Sequence, residues 1–467
     1  MNNIIDYSVT SIAQAIRSGQ VSSKEVVLAS LERIQEVNNK INAVVQIPIE
    51  SALRDADLAD RKQSAGEVLG ILHGVPFTVK DNLETKNVVC ACGTEGLSEY
   101  MPKSDAEVVA KMKTAGGIFV GKTNVPELGM GYETDNLVYG RTNNPYDLTR
   151  TSGGSSGGEA AIIASGGSGI GICTDGGGSA RWPAHCCGLV GFKPTTGRTP
   201  KMGHVPPPGG ILNSLWQISL IARHVEDISM TLPLICGSDL TFSTTSLNKG
   251  DISKHASISQ LRVAYYTDNG IVAPNANIIN AIHLCINKLE ECVSCIDKII
   301  PTGVQNSHKL YHRLMSADGG VGIRKLLKSW GTNNIHQYTV STLECHIGKE
   351  VNDANKKQLM KDWDDFRCEM NKFMEQYDVI ICPVSTSTAV KHGDTYRNQK
   401  FPGFADMFSY VMTFNLLGWP CGTVRVGTSD NGLPIGVQVV GRPWQEGTVL
   451  SVLRYLENMK GWEKPSL

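Results

Sequence analysis

The stretch TSGGSSGGEAAIIASGGSGIGICTDGGGSAR, residues 151–181, holds eleven glycines within residues 151–180 and carries two serine-bearing loops. Glycine frees the backbone for positive φ and lets amide N–H groups approach a ligand closely. A run of such amides ahead of a serine is what an oxyanion hole requires. Upstream, the strand-like GVPFTVK, residues 74–80, ends on Lys80. These segments therefore favour an oxyanion hole placed ahead of a serine.

The segments around this stretch alternate between strand and helix patterns. ILHGVPFTVK (71–80) and IFVGKT (118–123) favour strands, and the capping-box spacing of Ser104 and Glu107 predicts a helix between them. This order is typical of parallel strands in one sheet. Further strands are predicted at 261–267, 377–384 and 432–441, and helices within 1–45 and at 278–292, 353–376 and 446–459. Because strand patterns occur near both ends of the chain, we expect one sheet rather than two independent domains.

Composition excludes several classes of protein. The 467 residues contain 44 Lys and Arg against 45 Asp and Glu, so the net charge of −1 removes the electrostatic case for nucleic-acid binding. No apolar run is long enough to span a membrane, and the start MNNIIDYSVT lacks the pattern of a secretory signal. We therefore expect a cytoplasmic protein whose thirteen cysteines are free thiols.

The motif GGSSGG, followed by DGGGSAR and preceded by a strand that ends on lysine, resembles the amidase signature family of serine hydrolases. The resemblance is dense over residues 70–200 and looser over the rest of the chain. It implies an α/β fold, an α/β/α sandwich around one large mixed sheet, with residues 1–467 as a single domain. Residues 239–370, which begin with a polar linker-like segment at 239–260, are expected to form a variable and mainly helical region that covers the pocket.

The resemblance also assigns roles to individual residues. Ser179 takes the place of the nucleophile, and Ser155, held after a cis peptide, bridges it to Lys80. The oxyanion amides fall on the glycines of the nucleophile loop, and three further residues support the site. These are Gly176, Gly177 and Gly178 for the oxyanion hole, and Ser156, Asp175 and Arg181 in support, the last two as an ion pair.

The chemistry of these residue types agrees with those roles. A serine hydroxyl is a weak nucleophile until a base removes its proton. A free lysine, with a pKa of about 10.4, must be buried before it can act as that base near neutral pH. Ser155 would relay the proton from Ser179 to Lys80 and return it to the leaving amine. This scheme needs no metal and no cofactor.

Three other functions compete with that of a stand-alone amidase. GGSSG (153–157) matches the nucleophile elbow of α/β-hydrolases, which would make Ser155 the nucleophile of an esterase. The family also includes the glutaminase component of a tRNA-dependent amidotransferase, although NLLGWPCG and VGRPWQE in the C-terminal half look more like general acylamidases. A non-catalytic binding protein is disfavoured because Lys80, Ser155 and Ser179 are all present.

The substrate is less well defined. Met130, Tyr132, His185 and Trp216 are candidates for the pocket wall, and they favour a small, acyl or aryl amide that is partly apolar. His308 and His312 are predicted to lie on a solvated or packed helix face. Dimerisation is common among amidase signature enzymes, so a homodimer is an expectation that the resemblance carries.

Overall fold

The computed structural model describes residues 4–207, 209, 211–237, 252, 256–395 and 405–467. The predicted linker at 239–260 therefore lies largely outside the described residues.

Thirteen strands occur in the described part of the chain. They are β1 (Val44–Gln46), β2 (Pro76–Lys80), β3 (Ile118–Thr123), β4 (Asn143–Asn144), β5 (Asp147–Thr151), β6 (Ile170–Asp175), β7 (Val190–Lys193), β8 (Gln217–Ala222), β9 (Arg262–Tyr265), β10 (Cys295–Lys298), β11 (Val379–Pro383), β12 (Cys421–Thr428) and β13 (Pro434–Gly441). Eleven of them form one mixed sheet in the order β1-β3-β2-β6-β8-β7-β12-β13-β11-β9-β10, and β4 pairs with β5 alone.

The strand pairs near the glycine-rich stretch position the site. β2 runs parallel to β3, with Lys80 opposite Thr123, and parallel to β6, with Val79 opposite Ile172. Every residue of β2, β3 and β6 is buried, as expected for parallel strands that helices cover on both faces. The predicted parallel pairing of the first two long strands is confirmed.

Fourteen α-helices flank the sheet within the described residues. They are α1 (Val9–Arg17), α2 (Ser23–Ile41), α3 (Ile49–Ser64), α4 (Glu107–Thr114), α5 (Gly157–Ala164), α6 (Arg181–Cys187), α7 (Val225–Ile235), α8 (Ala276–Glu290), α9 (Val304–Met315), α10 (Val321–Trp330), α11 (Gln337–His346), α12 (Asp353–Met374), α13 (Ser409–Leu417) and α14 (Glu446–Glu457).

Two apolar layers, one on each face of the sheet, make the fold an α/β/α sandwich. On β11, Ile380 packs in one layer with Trp363 of α12, whereas the adjacent Ile381 packs in the other with Ile282 of α8. This division follows from the strand, because successive side chains point to opposite faces. The predicted fold class is confirmed.

The predicted strands agree with the structure, but one predicted helix cap does not. The strands predicted at 118–123, 261–267, 377–384 and 432–441 correspond to β3, β9, β11 and β13. The predicted cap of α4 is wrong: the helix begins at Glu107 after Ala106, and no side chain caps it. Ser104 lies outside the helix, where the neighbouring Asp105 pairs with Lys113 at 2.9 Å.

Candidate active site

Lys80 is positioned by the carboxyl end of β2. It is the last residue of that strand, and its side chain is completely buried. Because β6 runs parallel beside β2, the carboxyl ends of both strands lie at the same edge of the sheet. Here Lys80 Nζ donates to Thr174 Oγ1 on β6 at 2.9 Å and to Ser155 Oγ at 2.7 Å. The predicted lysine therefore contacts one of the two predicted serines directly.

Ser155 lies in the loop between β5 and α5. The peptide bond Gly154–Ser155 is cis, as the resemblance implied. The next residue, Ser156, donates its hydroxyl to the carbonyl of Thr174 at 3.3 Å. Ser156 thus ties the Ser155 loop to the strand whose Thr174 hydroxyl contacts Lys80.

Ser179 and Ser155 open into the same cavity. Ser179 is half-buried and lies in the loop between β6 and α6. The cavity has a volume of about 720 Å³, and Ser155, Ser179, Gly176 and Gly177 all line it. The structure therefore brings both predicted serines and the glycine loop to one face of one cavity, with Lys80 buried behind Ser155.

The predicted ion pair holds the nucleophile loop. Arg181 Nη2 lies 2.8 Å from Asp175 Oδ1, and both side chains are completely buried. Burial alone would raise the pKa of Asp175, but the charge and hydrogen bonds of Arg181 hold it well below its ordinary value. Asp175 also accepts from the amides of Gly178 at 2.8 Å and Ala180 at 3.1 Å. One carboxylate therefore fixes both ends of the turn that carries Ser179.

This arrangement changes the assignment of the oxyanion amides. The N–H of Gly178 donates to Asp175 Oδ1, and Gly178 is absent from the described lining of the cavity. It is therefore not free to bind a substrate oxygen, contrary to the expectation. Gly176, Gly177 and Ser179 line the cavity, and their amides are the remaining candidates for an oxyanion hole.

The wall of the cavity is largely apolar. Of the predicted pocket residues, Met130, Tyr132 and Trp216 line it. They are joined by further apolar and aromatic side chains: Leu128, Tyr311, Met315, Tyr338, Phe408 and Met412. Tyr132 stacks on Phe408 with ring centroids 3.5 Å apart. The wall suits a substrate with a sizeable apolar part.

His185 does not line this cavity, contrary to the expectation. Its side chain is fully buried; Nδ1 accepts from the Gly436 N–H at 3.0 Å, and Nε2 donates to the Ser387 carbonyl at 3.1 Å. Burial lowers the pKa of His185 to about 4, so the ring is neutral. His185 connects α6 to β13 and to the segment after β11. Because backbone groups bind both of its ring nitrogens, neither nitrogen is available to a ligand.

His308 and His312 lie on a partly buried face of α9, in agreement with the predicted solvated or packed helix face. Both line the cavity from α9, together with Lys309 and Arg313. The same helix also packs in the apolar core through Val304, Leu310 and Leu314.

Buried charge determines the state of Lys80. Burial lowers its pKa to about 8. Behind it lies Glu159, also fully buried, which accepts hydrogen bonds from the hydroxyls of Thr78 and of Thr123, the latter at 2.7 Å. Burial raises the pKa of Glu159 to about 7. A lysine with this pKa is partly neutral near neutral pH and can accept a proton from Ser155.

Two polar residues of the site were not predicted: Thr174, within the quoted glycine-rich stretch, and Asn82, two residues after Lys80. Asn82 Nδ2 donates to Thr174 Oγ1 at 3.1 Å and lies 3.1 Å from His204 Nε2. His204 Nδ1 lies 2.7 Å from the carbonyl oxygen of Pro206, so that nitrogen carries the proton and Nε2 accepts from Asn82. Asn82 and Thr174 therefore extend the hydrogen-bonded chain from Ser155 and Lys80 to His204, which also lines the cavity.

Comparison with known proteins agrees with this geometry. The Amidase family model matches residues 25–450. The chain is 32% identical to a glutamyl-tRNA(Gln) amidotransferase subunit of Thermoanaerobacter pseudethanolicus, covering 96% of this chain and 95% of that protein. It is 30% identical to the corresponding protein of Alkaliphilus metalliredigens, covering 98% and 97%. A solved 6-aminohexanoate cyclic dimer hydrolase complexed with substrate superposes with a TM-score of 0.86 at 26% identity, covering 99% of each chain.

The fold and the site therefore define a hydrolase that acts on carbon–nitrogen bonds. The chain belongs to the amidase family, the amidase signature enzymes of the sequence analysis. None of the described helices is long and apolar enough to cross a membrane.

Proposed function

We propose that this protein hydrolyses carboxylic amides through an acyl-enzyme formed on Ser179, with Ser155 and Lys80 as the proton relay. The contact of 2.7 Å between Lys80 Nζ and Ser155 Oγ, beside the cavity that Ser155 shares with Ser179, is the observation that supports it most directly. The lowered pKa of Lys80 supplies a neutral amine, which is the form that a general base requires.

In the proposed reaction, Ser179 Oγ attacks the amide carbon while its proton passes to Ser155, whose own proton passes to neutral Lys80. The new C–O bond gives a tetrahedral intermediate, and its oxyanion accepts from backbone amides of the glycine loop. Collapse breaks the C–N bond, and the relay returns the proton to the leaving nitrogen. Water then attacks the acyl-Ser179 ester by the same relay and releases the acid and free serine.

The apolar wall supports an acyl or aryl amide as substrate. Hydrophobic pockets with a few polar groups orient a ligand mainly by shape and bury most of its surface. Ester hydrolysis is compatible with the same site, since an ester carbonyl is easier to attack than an amide.

A quenched-flow experiment tests the proposal. An aryl ester and an aryl amide of the same acyl group are mixed with enzyme, quenched in acid and analysed by intact mass. We expect an acyl adduct in the wild type and none in Ser179→Ala. An adduct that persists in Ser179→Ala and disappears in Ser155→Ala would contradict the proposed roles.

A second candidate function is that of an amidotransferase component, because the curated relatives carry that name over almost the full length of the chain. Under this alternative the enzyme would release ammonia from an amide donor within an assembly. Glutaminase activity of the purified chain, together with partner proteins that co-purify with it, would favour this function over a stand-alone amidase.

A further inference from the structure

Two tyrosines that line the cavity donate hydrogen bonds to carbonyls of the glycine loop, residues 176–178. Tyr311 Oη donates to the carbonyl of Gly176 at 2.9 Å, and Tyr132 Oη donates to the carbonyl of Gly177 at 3.1 Å. A Cβ atom placed on Gly177 would lie 2.6 Å from Tyr311 Oη and 3.1 Å from Tyr132 Oη. The loop and both hydroxyls are therefore in direct contact.

These hydrogen bonds act on the amides as well as on the carbonyls. In a trans peptide the C=O and the following N–H lie in one plane and point in opposite directions. Holding the carbonyl of Gly176 therefore fixes the direction of the Gly177 N–H. Holding the carbonyl of Gly177 likewise fixes the N–H of Gly178, which donates to Asp175 Oδ1 at 2.8 Å.

The loop needs such support, because Gly176, Gly177 and Gly178 have no side chains to restrict rotation of their peptide planes. The Gly177–Gly178 peptide is held at both ends: Tyr132 donates to the Gly177 carbonyl, and Asp175 accepts from the Gly178 N–H. For the Gly176–Gly177 peptide, Tyr311 is the side-chain partner that the described residues provide. Burial raises the pKa of Tyr311 above its ordinary value, so its hydroxyl stays protonated and remains a donor.

We propose that Tyr311 is a positioning residue that holds the Gly177 amide in the orientation that stabilises the oxyanion formed on attack by Ser179. Its hydroxyl has one hydrogen, and the Gly176 carbonyl accepts it, so Tyr311 acts on the reaction through the loop. Tyr311 belongs to α9, a helix of the region expected to cover the pocket. The packing of that helix thus completes a loop that lies 135 residues away in sequence. This inference rests on the proposed acyl-enzyme at Ser179.

The test compares Tyr311→Phe with two other hydroxyl deletions. Tyr132→Phe removes the donor to Gly177, whose following amide Asp175 still holds. Tyr455→Phe removes a donor to the carbonyl of Lys288 at 3.0 Å, and Tyr455 is not part of the described cavity lining. Melting temperatures identify any variant that has failed to fold.

Two readouts are needed: kcat and KM for para-nitroacetanilide, and the second-order rate of Ser179 labelling by an alkyl fluorophosphonate, whose phosphoryl oxygen enters the same oxyanion site. Loss of a direct oxyanion donor lowers kcat by about 10²- to 10³-fold, so loss of its support should cost about 10- to 100-fold. We expect Tyr311→Phe to lower kcat and the labelling rate by similar factors in this range, with KM within about twofold. Tyr132→Phe should lose less, and Tyr455→Phe should match the wild type.

A folded Tyr311→Phe with unchanged kcat, or with a change in KM alone, would overturn the positioning role. A folded wild type that neither hydrolyses amides nor labels at Ser179 would instead overturn the proposed function.

Discussion

Lys80 Nζ lies 2.7 Å from Ser155 Oγ, and the lysine side chain has no exposure to solvent. The short contact and the burial affect proton transfer to Lys80 in different ways. The contact offers a route for transfer, and the burial makes the neutral amine accessible near neutral pH. In the proposed mechanism, this pairing takes the part that a histidine base plays in other serine hydrolases.

The pH dependence of the reaction follows from this pairing. Burial lowers the pKa of Lys80 to about 8, and its neutral form is the base of the proposed relay. We therefore expect kcat/KM to be low in acid, to rise with an apparent pKa of about 8, and to reach a plateau at alkaline pH. Initial rates with one amide substrate in constant ionic strength buffers measure this profile. A flat profile from about pH 6 to pH 9 would argue against a titrating lysine.

Replacing the lysine should abolish this dependence. Lys80→Met removes the base and the donor to both hydroxyls, and general-base removal costs about 10²- to 10⁴-fold in rate. We expect kcat to fall by at least that factor and the residual rate to lose its inflection near the pKa of Lys80. Lys62→Met, a change on the surface helix α3, is the matched control and should leave the profile intact.

Glu159 is expected to raise the pKa of Lys80. Its carboxylate favours protonated Lys80, so removing its charge should lower the apparent pKa of the reaction. Glu159→Gln should therefore shift the rising limb of the kcat/KM profile to lower pH. Glu446→Gln, which disturbs another buried carboxylate paired with Arg198 at 2.6 Å, should leave the limb in place. An upward shift in Glu159→Gln would show that the carboxylate does not act through Lys80.

The buried pair of Asp175 and Arg181 should matter mainly for stability. Asp175→Asn leaves Arg181 buried without its counter-ion, which typically costs about 3–5 kcal/mol in the free energy of unfolding. The exposed pair of Arg313 and Asp362 is the comparison, and Asp362→Asn should cost less than about 1 kcal/mol. Urea unfolding measures the free energy of unfolding of both variants. Equal losses in the two variants would contradict the claim that the buried ion pair contributes more to stability than the exposed one.

The same pair should also contribute to acid sensitivity. The pKa of Asp175 is held below its ordinary value in the folded protein, so its contribution to stability is present above that ordinary value of 3.8. The contribution declines progressively as the pH falls from that value toward the lowered pKa of the folded protein. The difference in unfolding free energy between wild type and Asp175→Asn should therefore shrink on acidification below about pH 4, which urea titrations over that range would detect.

The charge at the cavity predicts a substrate preference. Lys309 and Lys349 are exposed side chains that line it, and neither forms an ion pair within the described residues. Asp406 is the carboxylate in the described lining. We expect succinanilate to have a KM a few-fold lower than uncharged valeranilide, since exposed charge pairs contribute about 0.2–1 kcal/mol. Added salt and a Lys309→Met, Lys349→Met double variant should remove this advantage while valeranilide stays unaffected.

Lys80, Ser155 and Ser179 were assigned through the resemblance to the amidase signature family, which short motifs carry, and the structure brings Lys80 and Ser155 into contact at 2.7 Å. The parallel pairing of β2 and β3 was also predictable, since it follows from apolar strand patterns and an intervening helix. Glu159 left a signal that was not used: it is the one charged residue of the apolar helix α5. A carboxylate in such a helix must have buried partners.

Other parts of the site depend on contacts that no local pattern contains. Tyr311 meets Gly176 across 135 residues, and no motif in the sequence links the two segments. His185 has the same sequence features as a pocket residue, and only the position of Gly436 shows that its ring faces the core. The engagement of the Gly178 amide depends on the turn bringing Asp175 back beneath it.

Peptide mapping after treatment with an alkyl fluorophosphonate tests the central claim most directly. The account predicts a single stoichiometric label on Ser179 that Ser179→Ala abolishes and that forms more slowly in Lys80→Met. A label on Ser155 in the folded wild type would contradict the account, because Ser155 would then be the nucleophile rather than the bridge between Ser179 and Lys80.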